Sequence, residues 1–143
     1  MNKQTLSRIS AFAGAEQLRI LAEKAVGDRK PLILKRPEKT MVLLQIREPV
    51  RHGRFYLGEA LAVHCLVELA GIKGAAVILG DDLAKAEAAA VLDAAHTENL
   101  PGFALIEKEL LKLEAARQNE AARKAALFRQ TQVKFQALED REP

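Results

Sequence analysis

The fold is decided by residues 54–94, whose sequence is RFYLGEALAVHCLVELAGIKGAAVILGDDLAKAEAAAVLDA. From Phe55 to Leu69, apolar side chains alternate with small or polar ones, which is typical of a strand with one buried face. Gly71 and Gly74 predict a reversal of the chain. The run AAVIL at residues 75–79 is apolar on both parities, so we predict a second strand that is central in the sheet and covered on both faces.

The first of these strands is longer than a small domain needs. Its seventeen residues, 54–70, would extend over roughly 55 Å at about 3.3 Å per residue. We therefore predict a bend or bulge near Gly58, where the missing Cβ allows one. Glu59 follows on the apolar parity, where an ionised group needs a partner. Three interpretations remain open: the bulge turns Glu59 outward, a distant basic residue pairs with it, or it contacts a partner subunit.

A helix is predicted directly after the second strand. Asp82 can accept hydrogen bonds from the free amide groups at the start of this helix and interacts favourably with the helix dipole. The helix carries a narrow stripe of mostly small side chains, which predicts a close approach to the sheet. The stripe consists of Leu83, Ala86, Ala90, Val91 and Ala94.

Helices and strands are also predicted in the first third of the chain. Residues 3–26 have helical periodicity, with a break at Gly14. Residues 31–35 and 41–46 are predicted to be short strands, because they are apolar and flanked by turn-forming residues. The segment Pro37–Lys39 is predicted to be the turn between them.

The C-terminal third is predicted to be helical. After a break at residues 99–102 (NLPG), helical periodicity begins at Phe103 and continues to Ala126. Residues 114–126 have high helix propensity but only alanine methyl groups to bury. Two interpretations remain open: a surface helix that closes the fold, or an arm that buries its terminal hydrophobic residues on another chain.

Together these elements predict an α+β fold with N-terminal helices, a small, largely antiparallel β-sheet, a packed helix and a long C-terminal helical arm. The length of 143 residues suits a single domain, with helices over 1–28, the sheet over 29–80 and helices over 81–143. No apolar run approaches the roughly 18–20 residues that span a bilayer. The single cysteine, Cys65, rules out an internal disulfide. We therefore expect a cytoplasmic protein that does not associate with membranes.

Charge is distributed unevenly along the chain. Residues 29–54 carry eight basic and two acidic side chains, whereas residues 55–100 carry two basic and seven acidic ones. This distribution fits either ordinary solvated surface or a surface that orients a docking partner. Nucleic-acid binding through residues 29–54 is disfavoured, because aromatic side chains are not interleaved with the basic ones.

The sequence does not predict a catalytic, cofactor or metal site. His64 and Cys65 are adjacent on a strand, so their side chains point to opposite faces and do not easily share a metal. Phosphate-loop and nucleophile-elbow motifs do not occur. The main alternative function is a small stand-alone transferase or phosphohydrolase that uses Arg54, Glu59 and Asp82, although the strand parities argue against their convergence in one pocket.

Three patterns in the chain resemble a known family. They are Arg-Phe-Tyr-x-Gly-Glu-Ala at residues 54–60, two glycines and an aspartate before the alanine-rich helix within residues 74–94, and Thr-x-Val-x-Phe at residues 131–135. They resemble the PhnG family, the small subunit of the bacterial carbon–phosphorus lyase core complex. The resemblance covers most of the chain, from about residue 38 to 140.

The resemblance implies a part in phosphonate catabolism. It implies assembly with PhnI-, PhnH- and PhnJ-like subunits, and support for forming a ribose 1-(alkyl)phosphonate 5-triphosphate from ATP and an alkylphosphonate. The nucleosidase-like PhnI subunit is implied to carry that step, and a PhnJ-like radical iron–sulfur subunit to cleave the carbon–phosphorus bond later. A chain with one cysteine lacks the ligands of such a cluster. We therefore predict an accessory, structural subunit that is not catalytic alone.

Docking surfaces are predicted at the basic loop of residues 50–52 and at the C-terminal helix. When the chain is isolated from its partners, its exposed apolar surface could also lead it to form a homodimer. The candidate partner-binding residues are Arg51, Arg54, Glu59, Phe128, Val133 and Phe135.

Overall fold

The computed structural model describes residues 1–133, in which two helices are followed by three strands and two further helices. The elements are α1 (Lys3–Phe12), α2 (Ala15–Val26), β1 (Leu32–Arg47), β2 (Arg54–Leu69), β3 (Ile72–Leu79), α3 (Leu83–Glu98) and α4 (Phe103–Gln130). The predicted α+β arrangement, the order of its elements and its long last helix are confirmed. Among residues 1–133, the helices lack the combination of length and hydrophobicity that a membrane span requires.

Local capping groups fix where the helices begin. Asn2 caps α1 by accepting a hydrogen bond from the Thr5 amide at 2.8 Å, and Gly14 separates α1 from α2, as predicted. Asp82 caps α3 in the same way and accepts a hydrogen bond from the Lys85 amide at 2.9 Å. One of the free amide groups in the first turn of α3 is thus satisfied by the aspartate that the sequence pattern predicts.

The sheet of the described residues is antiparallel, and its strand order is β1-β2-β3. β2 is therefore the central strand. The prediction that residues 75–79 form a central strand covered on both faces is wrong, because β3 is an edge strand and its Val77 and Leu79 are 57% and 60% exposed. One face of β3 packs on α3, while the apolar side chains of its other face are left uncovered by residues 1–133.

β1 runs without interruption from Leu32 to Arg47, so the predicted turn at Pro37–Lys39 is wrong. The register of β1 against β2 shifts twice within residues 33–38. These irregularities accommodate Pro37, and β1 is an edge strand, where a residue without an N–H group is tolerated. The turn-forming residues of the sequence therefore mark an irregular stretch of one long strand.

α3 packs directly on the sheet through small residues. A Cβ on Gly74 would lie 2.2 Å from the carbonyl oxygen of Ala90 and 2.4 Å from the amide nitrogen of Ala94, so the predicted close approach is confirmed. The predicted reversal at Gly71 and Gly74 is wrong for the second glycine, which lies within β3. The reversal is made by Ala70 and Gly71, whose φ angles are 53° and 82°.

The hydrophobic core lies between the sheet and the helices, and aliphatic side chains fill it. The largest fully buried side chains are Ile9, Leu18, Val63, Val67, Leu69, Leu92 and Leu110. They come from α1, α2, β2, α3 and α4. The predicted stripe of α3 is buried as well, except for Leu83, which lies at the first position of the helix and is 44% exposed.

We call the part of the chain that surrounds this core the body. Two segments extend beyond it. We call residues 41–61 the ribbon, because β3 pairs only with residues 62–69 of β2 and the β1–β2 hairpin continues past it with two strands. We call residues 115–130 of α4 the arm, because all of them except the half-buried Arg117 are exposed. Glu114 is the last buried residue before the arm. The ribbon and the arm are the two extensions of the described chain that the body leaves largely uncovered.

Candidate docking surfaces

A bulge in the ribbon sets the directions of its side chains. Leu44 pairs with Gly58 and Gln45 pairs with Tyr56, so Leu57 has no residue opposite it. Gly58 has a φ of 153° at this point, and the bulge predicted near it is confirmed. The extra residue changes the phase of the alternation between the two faces of the strand.

Glu59 is exposed on the ribbon, opposite the exposed Leu43. Within residues 1–133, no basic side chain pairs with Glu59. Of the three interpretations left open by the sequence, the outward orientation next to a bulge fits this geometry. Contact between Glu59 and a partner subunit stays a prediction.

Both faces of the ribbon expose large apolar side chains. Met41 lies opposite Leu61 on one face, and Ile46 lies opposite Phe55 on the other. The apolar residues of the ribbon strands that are at least 40% exposed are Met41, Leu43, Ile46, Phe55, Tyr56, Leu57 and Leu61. A two-stranded hairpin is only marginally stable alone in water. Contiguous exposed apolar surface of this kind is typical of an interaction site.

The tip of the ribbon is held in shape by Glu48. Its carboxylate accepts hydrogen bonds from the amides of Val50 and Arg51 at 2.7 and 2.5 Å. Its own amide donates to the carbonyl oxygen of Gly53 at 2.8 Å. Val50, at 80% exposed, is thereby presented on an ordered turn next to a basic side chain. The turn thus pairs an aliphatic group with a cation at the far end of the molecule.

Arginine side chains surround this tip. Arg47 and Arg54 lie opposite each other across the two strands, and Arg47 donates a hydrogen bond to the carbonyl oxygen of His52 at 3.3 Å. Like charges at directly opposite positions destabilise a strand pair. Within residues 1–133, none of Arg47, Arg51 and Arg54 forms an ion pair. An acidic surface placed against the tip would relieve this repulsion.

Glu114 joins α4 to the body where the arm begins. Its carboxylate accepts two hydrogen bonds from Arg117 and one from Gln118, each at 2.9 Å, and Arg8 of α1 lies 3.3 Å away. The hydrogen bonds from Arg117, followed by the one from Gln118, lower the pKa of Glu114 to about 2. The Arg117 guanidinium also lies 4.8 Å from the centre of the Phe12 ring, a cation–π contact that connects α4 to α1.

Beyond Glu114 the arm exposes alanine and polar residues, and then large apolar side chains near its end. Leu127 and Phe128 are 61% and 67% exposed, and Val133 just after the helix is 70% exposed. These observations agree with the arm interpretation, since a helix that closed the fold would bury such residues. Phe135, the last candidate partner-binding residue, lies outside the described residues.

The residues of the alternative enzyme hypothesis are not brought together. Asp82 uses its carboxylate to cap α3, and it follows Gly80, whose amide donates to the Leu61 carbonyl oxygen at 2.9 Å. Arg54 lies seven residues beyond Leu61 along the ribbon, roughly 20 Å away at about 3.3 Å per residue. One pocket therefore does not hold both Arg54 and Asp82.

His64 and Cys65 point to opposite faces of the sheet, as predicted for neighbours on a strand. His64 lies 3.7 Å from the carboxylate of Glu38, and Cys65 is buried against α3, where burial raises the pKa of its thiol. In residues 1–133, His, Cys, Asp and Glu side chains do not cluster in threes that could hold a metal ion.

Sequence reasoning missed the two-stranded extension of the hairpin. The signal for it was the difference in strand length, because β2 has 16 residues and β3 has 8. Half of β2 must then lack a partner on that side. From the excess length of β2 we predict only the bend or bulge near Gly58, not the unpartnered half of the strand.

Comparison with known proteins places the chain in a family. A search of curated proteins finds no match. The family described as phosphonate metabolism protein PhnG matches residues 1–139, which include the N-terminal helices, the sheet and the whole of α4. The chain therefore belongs to the PhnG family of phosphonate metabolism proteins.

Proposed function

We propose that this protein is an accessory, structural subunit of a cytoplasmic carbon–phosphorus lyase complex. In this role it supports the formation of ribose 1-(alkyl)phosphonate 5-triphosphate from ATP and an alkylphosphonate. The observation that carries the proposal is the pair of extensions, the ribbon and the arm, which expose apolar side chains far from the body. Membership of a phosphonate metabolism family supplies the pathway.

The physical argument starts from the cost of exposed apolar surface. Monomeric soluble proteins rarely expose apolar patches larger than a few hundred Å². The ribbon exposes such residues on both faces, and the arm ends in Leu127 and Phe128. Within residues 1–133 the body does not cover these side chains, so we expect each extension to bury them against another chain. A subunit with two such extensions is suited to hold neighbouring subunits together.

The chemistry is assigned to the partners. A PhnI-like subunit carries the displacement of adenine, a PhnJ-like subunit carries the radical cleavage, and a PhnH-like subunit completes the assembly. This chain contributes positioning, with the basic tip (Arg51 and Arg54) directed at acidic surface and the arm (Phe128 and Val133) at apolar surface. Glu59 and Phe135 remain candidates for the same contacts.

Co-purification tests the proposal. The chain should co-purify with a co-expressed PhnI-like subunit, whereas the isolated chain should show no turnover of ATP with methylphosphonate. Turnover by the isolated chain would contradict the accessory role and favour the stand-alone enzyme. Failure of the two chains to associate would contradict the structural role.

Truncation after Ala126 tests the arm. The truncated chain lacks Leu127, Phe128 and everything that follows, but it keeps the contacts of Glu114 and Arg117 that fix α4 to the body. It should fold and bind the partner at least about tenfold more weakly, which corresponds to about 1.4 kcal/mol. Unchanged binding would exclude the end of the arm from the interface.

A matched pair of point variants sharpens this test. Phe128→Ser removes an exposed aromatic ring, while Gln130→Ser changes an exposed polar residue two positions further along the same helix. The first variant should weaken the complex and the second should not. Equal effects of the two variants on binding would show that the Phe128 side chain makes no specific contact with the partner.

A further inference from the structure

The two edges of the sheet in residues 1–133 are protected to different extents. The β1 edge carries two register shifts within residues 33–38, Pro37 and several basic side chains, all of which hinder pairing with another strand. β3 pairs with β2 without a register shift and has only one charged residue, Lys73. From Val77 to Leu79 the β3 edge therefore lacks the bulges, prolines and charged side chains by which proteins often block strand addition.

The hydrogen-bonding groups of this edge can be assigned a direction. Gly80 donates its N–H to Leu61 of β2, so the even-numbered residues of β3 direct their backbone groups toward β2 and the odd-numbered ones direct theirs outward. Ala75 agrees with this assignment, because its amide donates outward to the carboxylate of Asp93 in α3 at 3.1 Å. The amides of Val77 and Leu79 also point outward, and neither finds an acceptor within residues 1–133.

A groove of about 260 Å³ runs beside this edge, between β3 and α1. Its walls include residues 75–78 of β3 and Lys3, Leu6, Ser7 and Ser10 of α1. Ser10 is only 2% exposed, and its hydroxyl has no hydrogen-bond partner among the described residues. A buried hydroxyl group without a partner is unfavourable. The groove thus has the unpaired amide of Val77 on one wall and, on the other, Ser10, whose buried hydroxyl is unpaired.

We propose that this groove takes an extended segment of a partner subunit, which adds to β3 as a fourth strand. The inference rests on the proposed function, and it names the edge from Val77 to Leu79 as a contact of that assembly. Only an extended backbone presents N–H and C=O groups at the spacing that two outward residues, 77 and 79, require. A helix has its backbone groups paired internally and does not meet this pattern.

The walls also specify the side chains of the added segment. Side chains on the outer face of the sheet lie beside the exposed Val77 and Leu79, which favours aliphatic residues there. Side chains directed at α1 meet Ser7 and Ser10, where the narrow groove favours small residues. At its ends the segment meets Lys73 and Asp81, which are exposed and form no ion pair within residues 1–133. An acidic residue of the segment would complement the charge of Lys73, and a basic residue would complement that of Asp81.

A second copy of this chain is disfavoured as the occupant. Antiparallel pairing of two β3 strands about Val77 would place Lys73 opposite the second copy's Asp81, a favourable charge pair. However, antiparallel edge pairing brings the helical layers of both copies to the same side of the sheet, where α1 already lies along the groove. An extended segment without an attached helical layer avoids this conflict.

The test compares two substitutions of one residue. Val77→Pro removes the outward N–H and breaks no hydrogen bond to β2, whereas Val77→Thr keeps the N–H and the β-branched shape. With the purified PhnI-like subunit as the probe, the proline variant should bind at least about tenfold more weakly and the threonine variant about equally well. Circular dichroism checks that both variants are folded.

Hydrogen exchange on the wild-type chain gives a second measurement that needs no variant. The amides of Val77 and Leu79 should exchange at least about tenfold more slowly in the complex than in the free chain. Unchanged exchange at both amides, or full binding by a folded Val77→Pro variant, overturns the inference while leaving the accessory role intact. A wild-type chain that does not bind the probe overturns the accessory role itself. Self-association that Val77→Pro abolishes, with binding to the probe retained, would assign the edge to a second copy.

Discussion

α3 and the arm are built largely from the same residue, alanine, yet their surroundings are opposite. The buried alanines of α3 are Ala86, Ala88, Ala89, Ala90, Ala94 and Ala95. The alanines of the arm, all exposed, are Ala115, Ala116, Ala121, Ala122, Ala125 and Ala126. High helix propensity accounts for the helical state of both segments. What differs is the surface that each one meets. α3 lies along a sheet on which Gly74 permits close approach, whereas the alanines of the arm are exposed and only Arg117, near its start, contacts α1.

The comparison separates two properties that alanine confers on a helix. Alanine favours the helical conformation regardless of context, and its small side chain permits a neighbour to come close. Whether this close approach occurs within the chain depends on whether another element lies next to the helix. The exposed alanines of the arm therefore suit it to close packing against another chain, as α3 packs against its own sheet.

The largest effect is expected at the contact between α3 and the sheet. Gly74→Val should destabilise the protein by about 3 kcal/mol or more, because the new side chain would overlap backbone atoms of Ala90 and Ala94 that cannot move independently. Chemical denaturation followed by circular dichroism measures this. Gly53→Ala is the control, since a Cβ there meets nothing within 4 Å and should change stability little. A stable Gly74→Val variant would show that α3 is not seated as described.

A smaller effect should distinguish the alanines of the two helices directly. Ala90→Leu inserts a large side chain at a fully buried position and should cost about 2 kcal/mol through overpacking. Ala122→Leu makes the same change on the exposed arm and should leave the free energy of unfolding within about 0.5 kcal/mol of the wild type. If both variants lost stability equally, the arm would have to be buried in solution, and the contrast between the helices would fail.

Elements with a strong local signal could be predicted from the sequence. Asp82 marks the start of α3, Gly14 separates the first two helices, and Gly58 marks the bulge, because each depends on a capping group or a backbone conformation that its residue type determines locally. The order of the elements and the arm follow from such signals as well.

The errors arose where tertiary context decides the outcome. Residues 75–79 are apolar on both parities, yet β3 is an edge strand, because burial depends on neighbours that periodicity does not reveal. Pro37 suggests a turn, but an edge strand with register shifts accommodates it. Predicting the groove beside β3 would require the positions of α1 and Asp93 relative to this strand, and local sequence patterns do not reveal them.

An effect that depends on pH is expected at Glu114, where α4 passes from the body to the arm. Its pKa of about 2 in the folded chain lies below the ordinary value of 4.5, so its ionised form stabilises the folded state at higher pH. This stabilisation is fully present above about pH 4.5 and is lost as the pH falls toward 2. The difference in unfolding free energy between wild type and Glu114→Gln should therefore be largest at neutral pH and shrink across that window. A difference independent of pH would contradict the pairing with Arg117 and Arg8.

The smallest effect on the isolated chain is expected at the end of the arm. Leu127→Ser removes an exposed aliphatic side chain that contacts no core residue, so the free energy of unfolding should stay within about 0.5 kcal/mol of the wild type. Leu110→Ser, at a fully buried position of the same helix, is the matched comparison and should destabilise the chain strongly. A loss at Leu127 that grows with protein concentration would show that isolated chains bury the arm against each other. In that case, a second copy of the chain would pack against the exposed alanines of the arm, as the sheet packs against the alanines of α3.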